Sequence, residues 1–468
     1  MKMKIYSMLF LGMMWMLAGC KKYTDIVPKG RNILNKVSDL DYLLNYNWVG
    51  AGFNFEDAYV ITNDMYPLLS NVPGIISNAS KGLDYARVTY DESVDRISLT
   101  TTDIKYERLY PIITNVADIV IMNADGASGD RALANRYKAE AYIIRAYLHY
   151  LLVNFYAKAY DPATAATDGG IPYVKEDHTL EVPNQKYTVQ EVYDNILADI
   201  DASFNLNALP DVPVNNMRVG KAVAYAVKAK VLLSLRKYAE ALQAADAGLA
   251  LKSGLEDHRP FLPAPYGSGL AVSRLGLTAP DNLFYSAYIN SRPGFYGPSL
   301  EIWNSYYEPG NIIKEYTTVY TANTFTGMAG TYYWSNFNYF QNASGLSTTD
   351  LYLARAESLA RTGNVTEAMN VINNIRVRRI HPNTYAPLTA TTEAQAMAYI
   401  KKTARIEYLF TYKNFIDIKR WNTEAAYKQT ITRTVNGITY SLTPESKLWI
   451  FPFPQSATNY NSNLTQNY

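Results

Sequence analysis

The chain has 468 residues, of which 48% are hydrophobic, and it carries 44 Lys and Arg residues against 42 Asp and Glu residues. The first 19 residues contain two of the lysines and no acidic residue, so the rest of the chain is formally neutral. A neutral chain lacks the basic face that phosphate binding requires, which argues against nucleic acid as a partner. The 41 tyrosines, against 15 phenylalanines, favour half-exposed recognition surfaces, because tyrosine joins an apolar ring to a polar tip.

The N-terminal residues have the three-part layout of a secretory signal. Two lysines precede an uncharged apolar stretch, residues 5–17, and two small residues stand directly before Cys20. The apolar stretch is shorter than the ~20 residues that a bilayer-spanning helix needs. We therefore predict that residues 1–19 are a signal peptide and that the protein is exported.

Cys20 is the only cysteine of the chain, and its surroundings indicate lipidation. The sequence Leu-Ala-Gly-Cys at residues 17–20 resembles the lipobox of bacterial lipoproteins, in which the cysteine is acylated, for example with palmitate, and begins the mature chain. Two or more acyl chains anchor a protein stably, whereas one anchors it marginally. The resemblance implies a lipid anchor on Cys20, and the alternative is an ordinary signal peptide with an incidental cysteine.

Helical periodicity dominates the centre of the chain. Residues 131–160 place apolar side chains at i, i+3, i+4 and i+7, which predicts a long helix that ends near Asp161. A second helix is predicted to begin after Thr188, because Thr188 and Glu191 fit a capping box.

Two later segments repeat one another. Residues 225–249 and 352–375 each predict a helix, a short turn and a second helix, with large and small residues at the same spacings. This looks like the tetratricopeptide pattern, whose helical pairs stack because no pair buries its apolar face alone. The alternative is a chance likeness between two alanine-rich hairpins. The matching positions are Tyr225, Ala229, Leu232, Ala241 and Ala245 in the first segment, and Tyr352, Ala356, Leu359, Ala368 and Ile372 in the second.

Between the repeats, residues 259–345 are rich in Pro, Gly and aromatic residues and show no sustained helical period. Disordered segments lack aromatic residues, so we predict a packed, irregular subdomain. The predicted fold is therefore mainly α. It has a tetratricopeptide-like helical-pair scaffold at about 36–258 and 346–421, an irregular inserted subdomain at about 259–345, and an irregular C-terminal segment at 422–468.

The C-terminal part carries the most specific family resemblance. The stretches "RIEYLFTYKNFIDIKRWN" and "LWIFPFPQSATNYNSNLTQNY", together with the mature start "CKKYTDIVP", resemble the SusD/RagB family of Bacteroidetes surface lipoproteins. The family usually has other residues at Thr411, Tyr412, Asn414 and Ser462. The residues at the family's signature positions are Arg405, Glu407, Asp417, Arg420, Trp421, Pro452, Pro454, Gln466 and Asn467.

The resemblance implies a binding protein without enzymatic activity or cofactor. Such a protein would be lipid-anchored in the outer membrane, facing the cell exterior, and would deliver an oligosaccharide nutrient to a SusC-like TonB-dependent barrel. The alternatives are a peptide-binding member of the same family, a surface glycosidase, and a periplasmic adaptor that binds only protein. The four histidines are scattered without a zinc-binding spacing, so no metal site is predicted.

The aromatic residues of the irregular subdomain are the candidates for ligand binding, because flat rings and nearby amides suit the apolar faces and polar rims of sugars. For each of them the alternative is that it only packs the subdomain onto the helices. The charged signature residues are predicted to pair with one another where the last helix packs, with an acid/base site of Arg405, Glu407 and Asp417 as the alternative; they are Arg405, Glu407, Asp417 and Arg420. The ligand-binding candidates are Trp303, Trp334, Tyr296, Tyr333, Arg292 and Asn336, with Tyr66 as a weaker one.

Overall fold

The computed structural model describes residues 34–50, 55–67, 70–179, 181–263, 276–288, 296–334 and 341–468. Cys20, Arg292 and Asn336 lie outside the described residues. The roles predicted for these three residues therefore stay predictions.

The fold is mainly α, as the sequence predicts. Within the described ranges no helix combines the length and the apolar character that crossing a membrane requires. The shorter N-terminal helices are α1 Val37–Leu44, α2 Glu56–Ile61, α3 Val72–Ser77, α4 Leu83–Thr89, α5 Arg96–Leu99, α6 Ile104–Ile112 and α7 Asp118–Ala124, with a π-helical turn at Ile113–Ala117 between the last two. The scaffold continues with α8 Arg131–Tyr156, α9 Val189–Asn205, α10 Lys221–Ser234 and α11 Tyr238–Leu251. The remaining helices are α12 Ile312–Tyr316, α13 Asn323–Thr326, α14 Thr348–Arg361, α15 Val365–Arg376, α16 Glu393–Glu407, α17 Lys413–Trp421 and α18 Gln455–Thr458.

The long helix α8 lies at the centre of the scaffold. The side chain of Asp130 caps its N-terminus by accepting a hydrogen bond of 2.8 Å from the Ala132 N–H. Its C-terminal half is buried on every side, because α7, α9 and α10 all pack against it. The capping box predicted at the start of α9 is confirmed, since Thr188 N–H donates to Glu191 Oε2 at 2.8 Å and Glu191 N–H donates to Thr188 Oγ1 at 3.2 Å.

The two predicted helical pairs are α10 with α11 and α14 with α15, and α11 packs directly against α14. Gly248 allows this close crossing. A Cβ atom at Gly248 would lie 2.8 Å from Leu351 Cδ1, which is closer than carbon atoms approach without a shift. The pairs therefore stack as neighbouring units of one helical array.

The strands are short and pair in six two-stranded ladders among the described residues. Two of these ladders, β1–β6 and β2–β7, pair a strand from the N-terminal region with a strand of the irregular subdomain. Residues before 259 therefore contribute to the structure of this subdomain. The strands are β1 Val49–Gly50, β2 Met65–Pro67, β3 Gly169–Pro172, β4 Lys186–Thr188, β5 Asn282–Phe284, β6 Ala287–Tyr288, β7 Tyr296–Pro298, β8 Val319–Thr321, β9 Tyr332–Trp334, β10 Leu346–Ser347, β11 Ile431–Val435 and β12 Ile438–Leu442. The pairs are β1–β6, β2–β7, β3–β4, β5–β10, β8–β9 and β11–β12.

The charged residues near the C-terminus pair only partly as the sequence predicts. Asp417 does contact a signature residue, because Arg420 Nε donates to its Oδ1 at 2.8 Å. Arg405 instead pairs with Asp64 at 2.6 Å. Glu407 accepts two hydrogen bonds, of 2.9 and 3.0 Å, from Arg379. The predicted pairing of the charged signature residues with one another is confirmed for Asp417 and Arg420. It was wrong for Arg405 and Glu407, which lie two residues apart on α16, point to different sides and pair with residues outside the signature.

Candidate functional site

The structure brings Trp303 and Trp334 together. Trp303 lies in the π-helical turn Ile302–Tyr306, and Trp334 ends strand β9. Their ring centroids are 5.4 Å apart, and Tyr332 stacks on Trp303 at 5.2 Å with an interplanar angle of 25°. Two candidates that are distant in sequence therefore belong to one aromatic cluster.

The alternation of side chains along β9 decides which aromatic residues join this cluster. Successive side chains of a strand point to opposite faces, so Tyr332 and Trp334 share one face and Tyr333 lies on the other. Tyr333 is opposite Tyr320 on β8, and their ring centroids are 5.9 Å apart. Tyr333 is thus separated from the two tryptophans by the hairpin itself.

Five rings, here called the aromatic row, lead from the surface of the subdomain to its interior. They are Tyr332, Trp303, Tyr307, Trp334 and Phe410. Trp303 is 5.9 Å from Tyr307, and Trp334 is 6.1 Å from Phe410, between ring centroids. Tyr332 and Trp303 are partly exposed, whereas the other three are buried, Trp334 with only 1% of its surface accessible.

The short helix α12 positions both tryptophans. The Trp334 indole N–H donates to the Ile313 carbonyl at 3.0 Å. Lys314 Nζ donates to the Trp303 carbonyl and lies 5.3 Å from the centre of the Trp303 ring and 5.6 Å from that of Tyr307. Burial lowers the pKa of Lys314. Because its cation contacts two ring faces, Lys314 fixes the orientation of the outer part of the row.

A cavity of about 120 Å³ lies at the inner end of the aromatic row. Tyr307, Trp334 and Phe410 line it from the row, and Glu407 and Lys413 line it from the scaffold. Since aromatic rings and polar groups meet in this partly open cavity, it has the composition of a small-molecule site.

The scaffold charges at the cavity are engaged with one another. Arg379 binds both carboxylate oxygens of Glu407, and Lys413 Nζ donates to Asp350 Oδ2 at 2.5 Å. Burial alone would raise the pKa of Asp350, but Lys413 and Lys230 lower it to about 2. These charge pairs are part of the cavity wall, which also contains Glu256, His258 and Asp281.

Gln341 lines the cavity, and its side-chain amide makes only part of its possible hydrogen bonds with the described residues. Its Nε2 donates to the Leu409 carbonyl at 3.3 Å. Its Oε1 is buried and has no hydrogen-bond partner among the described residues. A buried acceptor without a donor costs about 1–3 kcal/mol, and because this oxygen is closed to solvent, a ligand donor reaches it only after the Gln341 side chain changes its rotamer.

The other sequence candidates lie apart from the cavity. Tyr296 exposes 4% of its surface and packs between Tyr59 and Phe410, at ring distances of 5.8 and 6.3 Å. Tyr66 exposes 2% and belongs to a small second core cluster, where its hydroxyl donates to Asn63 Oδ1 at 3.3 Å. Strands β2 and β7 pair with each other and thereby hold both tyrosines inside the protein.

Sequence reasoning did not single out Tyr332, Phe410 and Gln341. The strand alternation in "YYW" could have assigned Tyr332 to the face of Trp334. Phe410 and Gln341 carried no comparable signal, because their places depend on contacts between segments far apart in the sequence.

The chain matches two described families. A family described as "Starch-binding associating with outer membrane" matches residues 100–233, and a family described as "SusD family" matches residues 292–468. No curated protein matches the chain in sequence. The two matched ranges include the long helix α8 and the whole of the aromatic row.

Solved structures share this fold at low sequence identity. A SusD superfamily protein from Bacteroides thetaiotaomicron superposes with a TM-score of 0.70 at 18% identity, over 92% of this chain and 100% of the other. A SusD-like carbohydrate binding protein from Bacteroides vulgatus gives 0.66 at 18% identity, over 92% and 97%. Another from Bacteroides fragilis gives 0.64 at 14% identity, over 92% and 99%.

Proposed function

The chain belongs to the SusD/RagB family, and from this premise we propose that it binds an oligosaccharide without altering it and delivers it to a TonB-dependent outer-membrane transporter. Structural relatives are described as carbohydrate binding proteins, which supports sugar as the ligand class.

The aromatic row beside the polar cavity is the observation that carries this proposal. Sugar rings have apolar CH faces that pack on aromatic rings, and their hydroxyl groups need donors and acceptors. Tyr332 and Trp303 offer partly exposed rings, and the amide residues Asn282, Gln341 and Asn342 line the cavity at the inner end. Ligand contact by Tyr333, on the opposite face of the hairpin, is a separate proposal.

Membrane attachment through Cys20 is the second part of the proposal. The lipobox-like residues 17–20 support it, as does the family's outer-membrane association. Cell fractionation tests it. We expect a Cys20→Ser variant to leave the outer-membrane fraction, and its retention there at the wild-type level would contradict the anchor.

Calorimetry with a panel of linear oligosaccharides tests the binding role. We expect Trp303→Ala to weaken binding by about tenfold or more, which corresponds to ~1.4 kcal/mol. Phe325→Ala is the matched control, because Phe325 is an exposed aromatic residue of the same subdomain outside the row. Circular dichroism confirms that both variants remain folded. Equal binding by the two variants, or no binding of any oligosaccharide by the wild type, would contradict the proposal.

The same preparation separates the alternative functions. A peptide panel tests the peptide-binding alternative directly. Incubation with each bound oligosaccharide, followed by product analysis, tests the glycosidase alternative, and any turnover would exclude binding without catalysis. An adaptor that binds only protein would show no response to either panel.

A further inference from the structure

We propose that the exposed end of the aromatic row binds a glycan that carries an acidic group, a carboxylate or a sulfate, and that Lys314 binds this group. The inference rests on the proposed sugar binding and adds the chemical class of the sugar. It concerns the outer rings Tyr332 and Trp303, which are partly exposed, and needs no access to the buried rings of the row.

The ammonium group of Lys314 has hydrogen-bond donors that the protein leaves unused. An ammonium has three N–H donors. Within the described residues, Lys314 Nζ donates only to the Trp303 carbonyl. The residue is partly exposed, so the other two donors can bind water or a ligand. A carboxylate or sulfate oxygen is the acceptor that an ammonium binds most strongly, because the hydrogen bond then joins opposite charges.

The charge of Lys314 also has no counter-ion, since it forms no salt bridge with the described residues. Its Nζ lies instead against the rings of Trp303 and Tyr307, 5.3 and 5.6 Å from their centres. Ring faces attract a cation, but they do not neutralise it. Burial disfavours such a charge and thereby lowers the pKa of Lys314. A bound anion would offset this cost.

The acidic residues close to Lys314 in the sequence bind other groups. Glu308 accepts hydrogen bonds from Arg376 Nε at 3.0 Å and from its Nη2 at 2.7 Å. Glu315 accepts a hydrogen bond of 2.7 Å from the Gly310 N–H. The charge of Glu315 raises the pKa of Lys314, but by less than burial lowers it. Neither carboxylate therefore occupies the place that a ligand anion would take.

The residues that flank Trp303 suit the uncharged part of such a glycan. Asn304 and Ser305 follow it in the same π-helical turn and are exposed. Glu301, on its other side, is held by the N-terminal region, because Asn63 Nδ2 donates to Glu301 Oε2 at 3.1 Å. A sugar that packs on Trp303 therefore meets amide and hydroxyl groups together with one ammonium.

Matched pairs of oligosaccharides test the proposal by calorimetry. One pair is hexagalacturonate and its methyl ester, for the carboxylate, and the other is a carrageenan hexasaccharide and its desulfated form, for the sulfate. We expect the acidic member of at least one pair to bind at least about fivefold more tightly than its neutral partner, which is ~1 kcal/mol. The preference should shrink with added salt, because salt screens exposed charges. The pair that shows the preference identifies the acidic group.

The failure of this inference differs from the failure of the proposed function. If oligosaccharides bind and no acidic member binds more tightly than its neutral partner, the inference is wrong while the proposed function stands. If neither these pairs nor the panel of linear oligosaccharides bind, the proposed function itself fails.

Lys314→Met is the matching variant, because methionine keeps most of the side-chain length and lacks the charge. We expect it to abolish the preference for the acidic member and Lys314→Arg to retain it, whereas Trp303→Ala weakens binding of both members alike. Lys158→Met is the control, because it removes one positive charge from an exposed site outside the row, where Lys158 pairs with Asp168 at 2.6 Å. A preference that survives in Lys314→Met, or that is equally lost in Lys158→Met, would overturn the assignment of the acidic group to Lys314.

Discussion

At the scale of single residues, the one guanidinium of Arg145 pairs with three carboxylates. Its guanidinium donates to both oxygens of Asp199 at 2.7 Å, to Asp118 Oδ1 at 2.9 Å, and to Glu176. Asp118 Oδ2 has no hydrogen-bond partner among the described residues. Burial raises the pKa of Asp118 to about 6, and the Arg145 charge offsets this only in part.

This raised pKa predicts a pH-dependent loss of stability. The folded state holds the Asp118 proton up to about pH 6, whereas the unfolded chain releases it near the ordinary value of 3.8. Between these values the free energy of unfolding falls as the pH rises, by up to about 3 kcal/mol. An Asp118→Asn variant lacks this loss, so its stability relative to the wild type should increase from pH 4 to pH 7. Urea unfolding at each pH measures the difference, and a difference that stays flat or decreases would refute the assignment.

At the scale of elements, the two helical pairs share one turn. Lys237 N–H donates to the Leu232 carbonyl at 2.9 Å, and Asn364 N–H donates to the Leu359 carbonyl at 2.8 Å. The residue before each has a positive φ, +58° at Arg236 and +88° at Gly363. This is the hydrogen bonding of a Schellman end. The two sequence repeats therefore also share the backbone conformation of this turn, although the residue with the positive φ is Arg236 in the first and Gly363 in the second.

One cap is missing from the first pair, and this predicts a stabilising substitution. Asn364 caps α15 by accepting a hydrogen bond from the Glu367 N–H at 3.3 Å, whereas Lys237, with nearly the same backbone angles, makes no cap. We expect Lys237→Asn to raise the free energy of unfolding by about 0.5–1 kcal/mol. Thermal or urea unfolding measures it, with Lys237→Ala as the control that changes the charge without adding a cap. Equal stability of the two variants would argue against a new cap.

The comparison of these elements shows what the sequence could reveal. Local patterns sufficed for α8, for the capping box at Thr188 and for both helical pairs, because neighbouring residues determine periodicity and caps. The pairing of Arg405 with Asp64 and of β1 with β6 depends on segments hundreds of residues apart, which no local pattern specifies. The aromatic content of residues 259–345 led to Trp303 and Trp334, whose rings the structure brings together, and only the folded hairpin separated Tyr333 from them. Their role in ligand binding stays a prediction.

At the scale of the whole molecule, the C-terminal residues fasten distant elements together. Gln466 exchanges two hydrogen bonds of 2.9 Å with the backbone of Phe453. Asn467 Nδ2 donates to the carbonyls of Tyr156 at 2.7 Å and Gly170 at 2.8 Å, and so joins the end of α8 to β3. Gly169 leaves room for this contact, since a Cβ atom there would lie 2.4 Å from Asn467 Oδ1. Gln466 and Asn467 of the Gln-Asn signature thus serve to bond distant backbone segments together.

This arrangement predicts a cost for removing the Asn467 amide. In Asn467→Ala, the carbonyls of Tyr156 and Gly170 lose their shared donor, so we expect the free energy of unfolding to fall by about 1–3 kcal/mol. Asn463→Ala is the matched control, because Asn463 also donates to a backbone carbonyl, that of Pro183 at 3.0 Å, but in an exposed position. Its loss should cost no more than about 0.5 kcal/mol, since water replaces the bond. Urea unfolding of both variants measures the difference, and equal costs would show that the end of the chain does not hold α8 and β3 together.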